Sequence, residues 1–269
     1  GGGVMYFDVN GTRTYASTGG RAHEPGKPWI IFVHGAGSSH LSWVLQTRAL
    51  AYDGWNVLAP DMPGHNLTGG AALSDVASMT QWVLAAMDSV GCDKAVICGH
   101  SMGGLIALEM ARTHPERVRA LVLVATAAAI PVNNALISMA ETTEFKAFQS
   151  MNSWGYGADA HMHDNTWPGG SHINFGIDMM RLNAAGTLAT DLKACAAYAG
   201  GADAAAQVKC PVLCIFAGQD KMTPLKAGKA LADTLPAREL VIVANSGHTI
   251  PTERPREVNA AMREFLGRI

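Results

Sequence analysis

Short apolar runs alternate with longer helical patterns over most of the 269 residues, and this alternation constrains the fold more than any other feature. Such an order predicts β-α-β units, in which helices cover both faces of a mostly parallel sheet. Strands are expected at 5–9, 12–17, 28–33, 55–59, 95–98, 118–124, 211–217 and 239–244, the first two as a hairpin turning at Asn10-Gly11. Helices are expected at 41–52, 75–90, 105–111, 225–235 and from about 254 onward. The sequence therefore predicts an α/β fold around an eight-stranded sheet.

The hexapeptide Gly99-His100-Ser101-Met102-Gly103-Gly104 connects the fifth of these strands to a helical pattern. A serine on such a tight strand-to-helix turn has its hydroxyl pushed out to where a base can reach it. Glycine suits positions 99 and 103 because larger side chains would collide with the neighbouring strand and helix. A bare Gly-x-Ser-x-Gly match arises by chance in roughly one chain of this length in ten. The strand before it and the helix after it are what favour a nucleophile.

A nucleophilic serine needs a histidine to accept its proton and a carboxylate to hold that histidine in the right tautomer. Asp220 follows the strand at 211–217, and His248 follows the strand at 239–244. Both lie at the carboxyl ends of predicted parallel strands, where loops converge over one edge of a sheet. We therefore expect a triad of Ser101 as nucleophile, His248 as base and Asp220 as the residue that orients the base.

Other carboxylates fit this position less well. Asp191 and Asp203 come before the strand at 211–217 rather than after it, so they are poor substitutes for Asp220. The strand at 118–124 ends just before Thr126, and no carboxylate near Thr126 could take the place of Asp220.

Five further motifs accompany the hexapeptide: His34-Gly35-Ala36-Gly37, Asp61-Met62-Pro63-Gly64-His65, His114-Pro115-Glu116-Arg117-Val118, the Gly-x-Asp that ends at Asp220, and the Gly-His that ends at His248. With them the chain resembles the α/β-hydrolase superfamily over nearly its full length, and particularly its small bacterial esterase-like serine hydrolases. The resemblance implies an α/β-hydrolase fold with a helical cap. One departure is visible. The family commonly continues Pro-Gly-His-Gly-x-Ser, whereas Asn66-Leu67-Thr68 follows His65 here.

The oxyanion hole is expected to use two backbone N–H groups. One is that of Met102, directly after the nucleophile, and by resemblance to His-Gly-x motifs the other is that of Ala36. Two such donors stabilise the tetrahedral intermediate, each by about 3 kcal/mol in acyl-transfer enzymes.

The regular alternation stops after residue 126, and residues 127–189 contain helical fragments between irregular segments. We expect a catalytic domain of 1–126 and 190–269, with 127–189 inserted as a cap or lid. The insertion holds many Met and aromatic side chains and seven charged residues, so it predicts an adaptable apolar lining for an acyl or aryl group. Candidate pocket residues are His40, Trp43, Trp154, Trp167 and Met179.

These features favour a serine hydrolase that cleaves a small, mainly apolar carboxylic ester or lactone through an acyl-enzyme and needs no cofactor. Haloalkane dehalogenases and epoxide hydrolases carry aspartate where Ser101 stands, and plant-type hydroxynitrile lyases carry lysine where Thr249 follows His248. Hydrolysis of C–C bonds or amides and perhydrolase activity use the same triad and stay open. So does a ligand-binding receptor with a weakly active triad.

Composition limits the partners. A net charge of −2 and a pI of about 6.6 give no electrostatic case for nucleic acid or an anionic membrane, which leaves a small-molecule substrate. Five cysteines without zinc-type spacing indicate a reducing compartment, and no apolar run is long enough for a transmembrane helix. We expect a cytoplasmic protein, while the oligomeric state stays open.

The segment 159–164 contains histidines and aspartates, and His172 lies nearby. A polar cap surface or a contact with substrate is favoured over a metal site for these residues.

Overall fold

A computed structural model describes residues 4–157 and 172–269. Eight strands form a sheet in the order β1-β2-β4-β3-β5-β6-β7-β8. The strands are β1 (Val4–Val9), β2 (Thr12–Ser17), β3 (Trp29–Val33), β4 (Asn56–Pro60), β5 (Ala95–His100), β6 (Val118–Val124), β7 (Val212–Ala217) and β8 (Arg238–Val243). The pairs among β3 to β8 are parallel, whereas β2 pairs antiparallel with β1 and β4. The expected α/β fold with a mostly parallel eight-stranded sheet is confirmed.

Helices cover both faces of this sheet. They are α1 (Val44–Tyr52), α2 (Val76–Ser89), α3 (Met102–Thr113), α4 (Asn134–Thr142), α5 (Glu144–Gly155), α6 (His172–Arg181), α7 (Thr187–Ala197), α8 (Gly201–Ala206), α9 (Leu225–Thr234), α10 (Ile250–Glu253) and α11 (Pro255–Leu266), with short 3-10 turns at His40–Trp43 and Pro115–Arg117. No helix in the two described ranges is both long and apolar enough to cross a membrane.

The first hairpin turns at the expected dipeptide. Asn10 and Gly11 have φ angles of 50° and 81°, and Val9 pairs with Thr12 across the turn. Positive φ at both central residues is the geometry that matches the twist of two antiparallel strands, and Asn-Gly adopts it most readily.

The central strands explain why their sequences are continuously apolar. Along β5, Ala95 and Ile97 pack into the apolar cluster on one face of the sheet, and Val96 and Cys98 pack into the cluster on the other. Successive side chains of a strand point to opposite faces, and here both faces are covered by helices. Every residue of β5 is consequently buried.

Between β6 and β7 the described elements are helices only. We call α4 to α7 the inserted helices; a third apolar cluster joins them and includes Phe148, Met151, Met180, Leu188 and Leu192. Residue 189, where we placed the end of the cap, falls inside α7. This helix contributes Leu188 and Leu192 to the third cluster and its later part, at 194–195, to the core cluster of the sheet. The division into a catalytic domain and a cap at 127–189 stays a prediction.

Candidate active site

Ser101 stands on a strained turn between β5 and α3. Its φ of 55° and ψ of −116° belong to a region that residues with a Cβ rarely adopt. The turn is held on both sides, because the Ser101 amide donates to the carbonyl of Val124 at 3.0 Å and the Thr126 hydroxyl donates to the carbonyl of Ser101 at 2.8 Å. The neighbouring structure thus imposes this backbone conformation.

The two glycines that flank the serine have no room for a side chain. A Cβ at Gly99 would overlap the carbonyl of Gly103, and a Cβ at Gly103 would overlap the carbonyl of Val33 on β3. Glycine therefore allows α3 to approach both its own strand and the neighbouring strand. These overlaps are the steric reason, anticipated from the sequence, why positions 99 and 103 are glycine.

Asp220 and His248 form a buried pair beyond the ends of β7 and β8. The Nδ1 atom of His248 lies 2.9 Å from Oδ2 and 3.1 Å from Oδ1 of Asp220. The amides of Met222 and Thr223 donate to Oδ1 at 2.9 and 2.8 Å, and the Thr223 hydroxyl donates to Oδ2 at 2.9 Å. Burial alone would raise the pKa of Asp220, but the charge and hydrogen bond of His248 and the two hydrogen bonds from Thr223 outweigh it and lower the pKa. The carboxylate is therefore ionised, and Nε2 remains the basic nitrogen of His248.

A cavity of about 210 Å³ brings the candidate nucleophile and base together, since Ser101 and His248 both border it. In the described residues the Ser101 hydroxyl and the His248 ring do not form a hydrogen bond. Hydrogen bonds between nucleophile and base often tighten only when substrate binds. The structure thus shows a shared cavity and a formed Asp220–His248 pair.

The loop after β3 runs against the serine turn. A Cβ at Gly35 would lie 3.2 Å from the carbonyl of His100 and 3.4 Å from Cβ of Ser101, so the close approach favours glycine. Ala36 borders the same cavity as Ser101. Met102 is the first residue of α3, and the first amides of a helix have no acceptor within it. The two amides assigned to the oxyanion hole therefore belong to segments that meet at the cavity.

Two buried histidines support this region in their neutral forms. His34 Nδ1 donates to the carbonyl of Gly35 at 2.9 Å, and its Nε2 accepts from the amide of Met62 at 3.1 Å. His100 Nε2 donates to the carbonyl of His248 at 2.7 Å. Burial, followed by the charge of a nearby histidine, lowers the pKa of His34 to about 4 and that of His100 to about 3. Both are positioned to shape loops rather than to transfer protons.

The candidate pocket residues separate into two groups. Trp154 and Met179 border the cavity. His40 and Trp43 do not: His40 Nδ1 lies 2.9 Å from the carboxylate of Asp61, and Trp43 is fully buried. This placement corrects the expectation that His40 and Trp43 are pocket residues, because His40 packs against Asp61 and Trp43 against Phe32.

Trp167 and the segment 159–164 lie outside the described residues. His172 is described; it is buried, and its ring lies 5.6 Å from the ring of Tyr156. Among the described residues, no group of three or more His, Cys, Asp or Glu side chains could hold a metal ion.

The departure from the family motif has a conformational explanation. Asn66 has a φ of 46°, in the left-handed region that glycine favours and asparagine tolerates best among the other residues. Its side-chain amide donates to Oδ2 of Asp61 at 3.1 Å. Asn66 therefore adopts the left-handed backbone conformation that glycine favours, and its side chain also connects the loop to Asp61.

Glu253, which the sequence does not single out, holds the loop that carries His248. Its carboxylate accepts from the amides of Gly157 at 2.7 Å and Gly247 at 3.1 Å and from the Thr249 hydroxyl at 3.0 Å. Burial raises the pKa of Glu253, although these three donors oppose the shift. The contacts fix the residues on both sides of His248 to the end of α5. No local sequence signal marks this role.

Most of the cavity wall is apolar. The side chains that form it include those of Ile130, Leu136, Met151, Phe175, Met180 and Leu192. Lys221 also borders it, beside Asp220 in the chain. The arrangement can accommodate a small apolar group next to Ser101.

Known proteins resemble this chain in sequence and in fold. Residues 30–261 match the family model described as the Alpha/beta hydrolase family. A pimeloyl-[acyl-carrier protein] methyl ester esterase of Neisseria meningitidis is 28% identical, over 88% of this chain and 92% of that protein. The dihydrolipoyllysine-residue acetyltransferase component of an acetoin cleaving system of Cupriavidus necator is 27% identical, over 98% of this chain and 69% of that protein.

Solved structures resemble the whole described architecture. An enol-lactonase from Burkholderia xenovorans superposes with a TM-score of 0.83 at 25% identity, covering 98% of this chain and 100% of that chain. A thermophilic esterase from Thermogutta terrifontis superposes with a TM-score of 0.81 at 20% identity, covering 98% of both chains. At that lower identity the likeness shows the fold alone.

Proposed function

Because the chain belongs to the alpha/beta hydrolase family, we propose that it is a serine hydrolase of a small, mainly apolar carboxylic ester or lactone. The observation that carries this proposal is the buried Asp220–His248 pair, 2.9 Å apart, whose His248 borders the same cavity as a serine with a φ of 55°. A strained serine beside an oriented imidazole is the arrangement that nucleophilic acyl transfer requires.

In the proposed reaction, His248 Nε2 takes the proton of the Ser101 hydroxyl as its oxygen attacks the substrate carbonyl. The amides of Met102 and Ala36 stabilise the oxyanion, and Asp220 stabilises the imidazolium. His248 then protonates the leaving alkoxide, which departs as an alcohol and leaves an acyl-Ser101. A water molecule that His248 deprotonates cleaves this acyl-enzyme and releases the acid.

The substrate class follows from the cavity. Its volume of about 210 Å³ and its apolar wall favour a small acyl group over a highly charged one. Relatives named as a methyl ester esterase and an enol-lactonase support ester or lactone cleavage. All five cysteines are free thiols, which supports a reducing compartment such as the cytoplasm.

The test is turnover of a p-nitrophenyl ester series from acetate to decanoate, together with simple γ- and δ-lactones followed by pH-stat. The wild type is compared with Ser101→Ala and with Ser89→Ala, an exposed serine on α2. We expect saturable hydrolysis that Ser101→Ala lowers by at least about 10³-fold and Ser89→Ala leaves unchanged. No turnover above background with any ester or lactone, or full activity in Ser101→Ala, would overturn the proposal.

A further inference from the structure

A buried carboxylate of α7 reaches the loop that carries Ala36. Asp191 is fully buried, and its Oδ2 lies 2.8 Å from the amide nitrogen of Gly37 and 2.6 Å from Nε2 of His65. One carboxylate oxygen thus accepts from a backbone amide of the loop after β3 and from a side chain of the loop after β4. Asp191 was set aside in the sequence because it precedes a strand, and the proposed triad does not use it.

His65 has acceptors at both ring nitrogens. Its Nδ1 lies 2.9 Å from the carbonyl oxygen of Pro63 and 3.2 Å from that of Met62, opposite the nitrogen that faces Asp191. A neutral imidazole carries one N–H and cannot donate on both sides, so the contacts select the doubly protonated ring. Burial would lower the pKa of His65, but Asp191 and the two carbonyls outweigh it and raise the pKa. Asp191 and His65 therefore form a buried ion pair.

Gly37 is held at both its amide and its carbonyl group. Asp191 accepts from its amide, and the side-chain amide of Asn183 donates to its carbonyl oxygen at 2.8 Å. Gly37 has a φ of 65°, and a Cβ at this position would lie 2.8 Å from the Leu188 side chain. The loop conformation next to Ala36 is thus set by residues at 183–191, which belong to the inserted helices and the turn before α7.

We propose that Asp191, oriented by His65, is a positioning residue that aims the Ala36 amide at the developing oxyanion. This role rests on the proposed function, since it concerns the same site. An ionised acceptor makes a stronger hydrogen bond to the Gly37 amide than a neutral one would. The contact fixes the peptide that joins Ala36 to Gly37. The neighbouring peptide, which carries the Ala36 N–H, is thereby held in place before substrate binds, which is what an oxyanion donor needs.

The experiment compares steady-state kinetics of the wild type, Asp191→Ala, Asp191→Asn and Asp178→Ala. Asp178 is an exposed carboxylate on α6 and serves as the matched control. We expect Asp191→Ala to lower kcat about 10²-fold with KM within about threefold, because small misplacements of a catalytic donor have effects of this size. Asp191→Asn keeps an oxygen for the Gly37 amide and restores most of kcat. Asp178→Ala behaves as wild type.

A transition-state readout separates positioning from a purely structural tie. A trifluoromethyl ketone forms a tetrahedral adduct with the serine, and its Ki should rise in Asp191→Ala by the same factor by which kcat/KM falls. If Asp191 only stabilised the fold, Asp191→Ala would lower the melting temperature, and its Ki and kcat/KM would not change by the same factor.

Asn183→Ala provides a second variant, because Asn183 is only half-buried and contacts the Gly37 carbonyl. We expect about a tenfold loss of kcat with little change in KM, since it removes the contact to the Gly37 carbonyl and leaves the Asp191 contact in place. If Asp191→Ala does not fold, the kinetics of Asn183→Ala test the inference in its place. Wild-type kcat in a folded Asp191→Ala, or in Asn183→Ala, would overturn the inference while leaving the proposed function intact. A wild type without hydrolysis would instead overturn the proposed function.

Discussion

The carboxylate of Asp220 presents both of its oxygens to His248, with Nδ1 at 2.9 and 3.1 Å. The Thr223 hydroxyl donates to the nearer oxygen and lies 3.2 Å from the same ring nitrogen. The pair is almost completely buried, so the carboxylate fixes the tautomer of His248 with little competition from water.

Asp220→Asn should therefore retain the fold and lose activity. The remaining oxygen can still accept from the amides of Met222 and Thr223, but an NH₂ group facing Nδ1 selects the wrong tautomer of His248. We expect kcat to fall roughly 10³- to 10⁴-fold with an unchanged melting temperature, as the corresponding substitution does in other triads. Asp233→Asn, on the exposed end of α9, is the control. Near wild-type turnover in Asp220→Asn would show that another carboxylate orients His248.

The strain at Ser101 predicts an unusual order of stabilities among inactive variants. Ser101→Gly relieves the positive φ of 55°, whereas Ser101→Ala keeps it. We expect Ser101→Gly to be about 1 kcal/mol more stable than Ser101→Ala in urea unfolding, although glycine elsewhere usually lowers stability. Equal stabilities, or a less stable glycine variant, would mean that the turn stores no strain.

The packing behind the serine predicts that Gly103 does not tolerate a methyl group. Gly103→Ala places Cβ against the Val33 carbonyl, so α3 must move away from β3. We expect a loss of about 2–3 kcal/mol in the free energy of unfolding. Gly69→Ala is the control, since the nearest atom to its Cβ would lie 3.8 Å away. Equal effects at the two positions would contradict this packing argument.

The lowered pKa of His100 predicts a specific pH dependence of stability. Its folded pKa is about 3 against an unfolded value of 6.5, so its contribution is complete above pH 6.5 and is lost as the pH falls toward 3. One such group changes the free energy of unfolding by about 1.4 kcal/mol per pH unit in that window. His100→Gln can still donate to the His248 carbonyl and does not titrate. Its stability should therefore fall less steeply than that of the wild type between pH 6 and 5; parallel slopes would refute the assignment.

The cavity beside Ser101 and a second cavity between α4 and α5 share a border. The second has a volume of about 520 Å³, and both are lined by Leu136, Met151 and Trp154. If longer acyl chains extend from the first cavity into the second, Leu136→Trp should lower kcat/KM for decanoate at least tenfold relative to acetate. Leu182→Trp, at an exposed position outside both cavities, should leave the ratio unchanged. An unaltered chain-length profile in Leu136→Trp would contradict this route.

Much of the fold was predictable because apolar runs mark buried strands wherever both faces of a sheet are covered. The strand at 118–124 has the predicted bounds, and the hairpin turns at Asn10-Gly11 as expected. The inserted region was less predictable. Its α7 packs partly with other inserted helices and partly with the core of the sheet, so composition alone could not place its boundary.

The candidate site also contains residues that the sequence predicts and residues that it does not reveal. Asp220 and His248 could be anticipated because each follows a strand end, and β7 and β8 are neighbours in the sheet. Glu253 and Asp191 could not, because their partners are brought near only by tertiary packing; Asp191 lies 126 residues from His65 along the chain. The positions of His40 and Trp43 could not be predicted either, because they depend on tertiary contacts with Asp61 and Phe32, and neither residue lines the cavity.

The central claim is that Ser101 is an activated nucleophile, and covalent labelling tests it most directly. The folded protein is treated with a fluorophosphonate, its intact mass is measured, and the modified peptide is sequenced by mass spectrometry. The account predicts a single adduct on Ser101, absent from Ser101→Ala and formed much more slowly in Asp220→Asn. A folded wild-type protein that acquires no adduct on Ser101 would contradict the account.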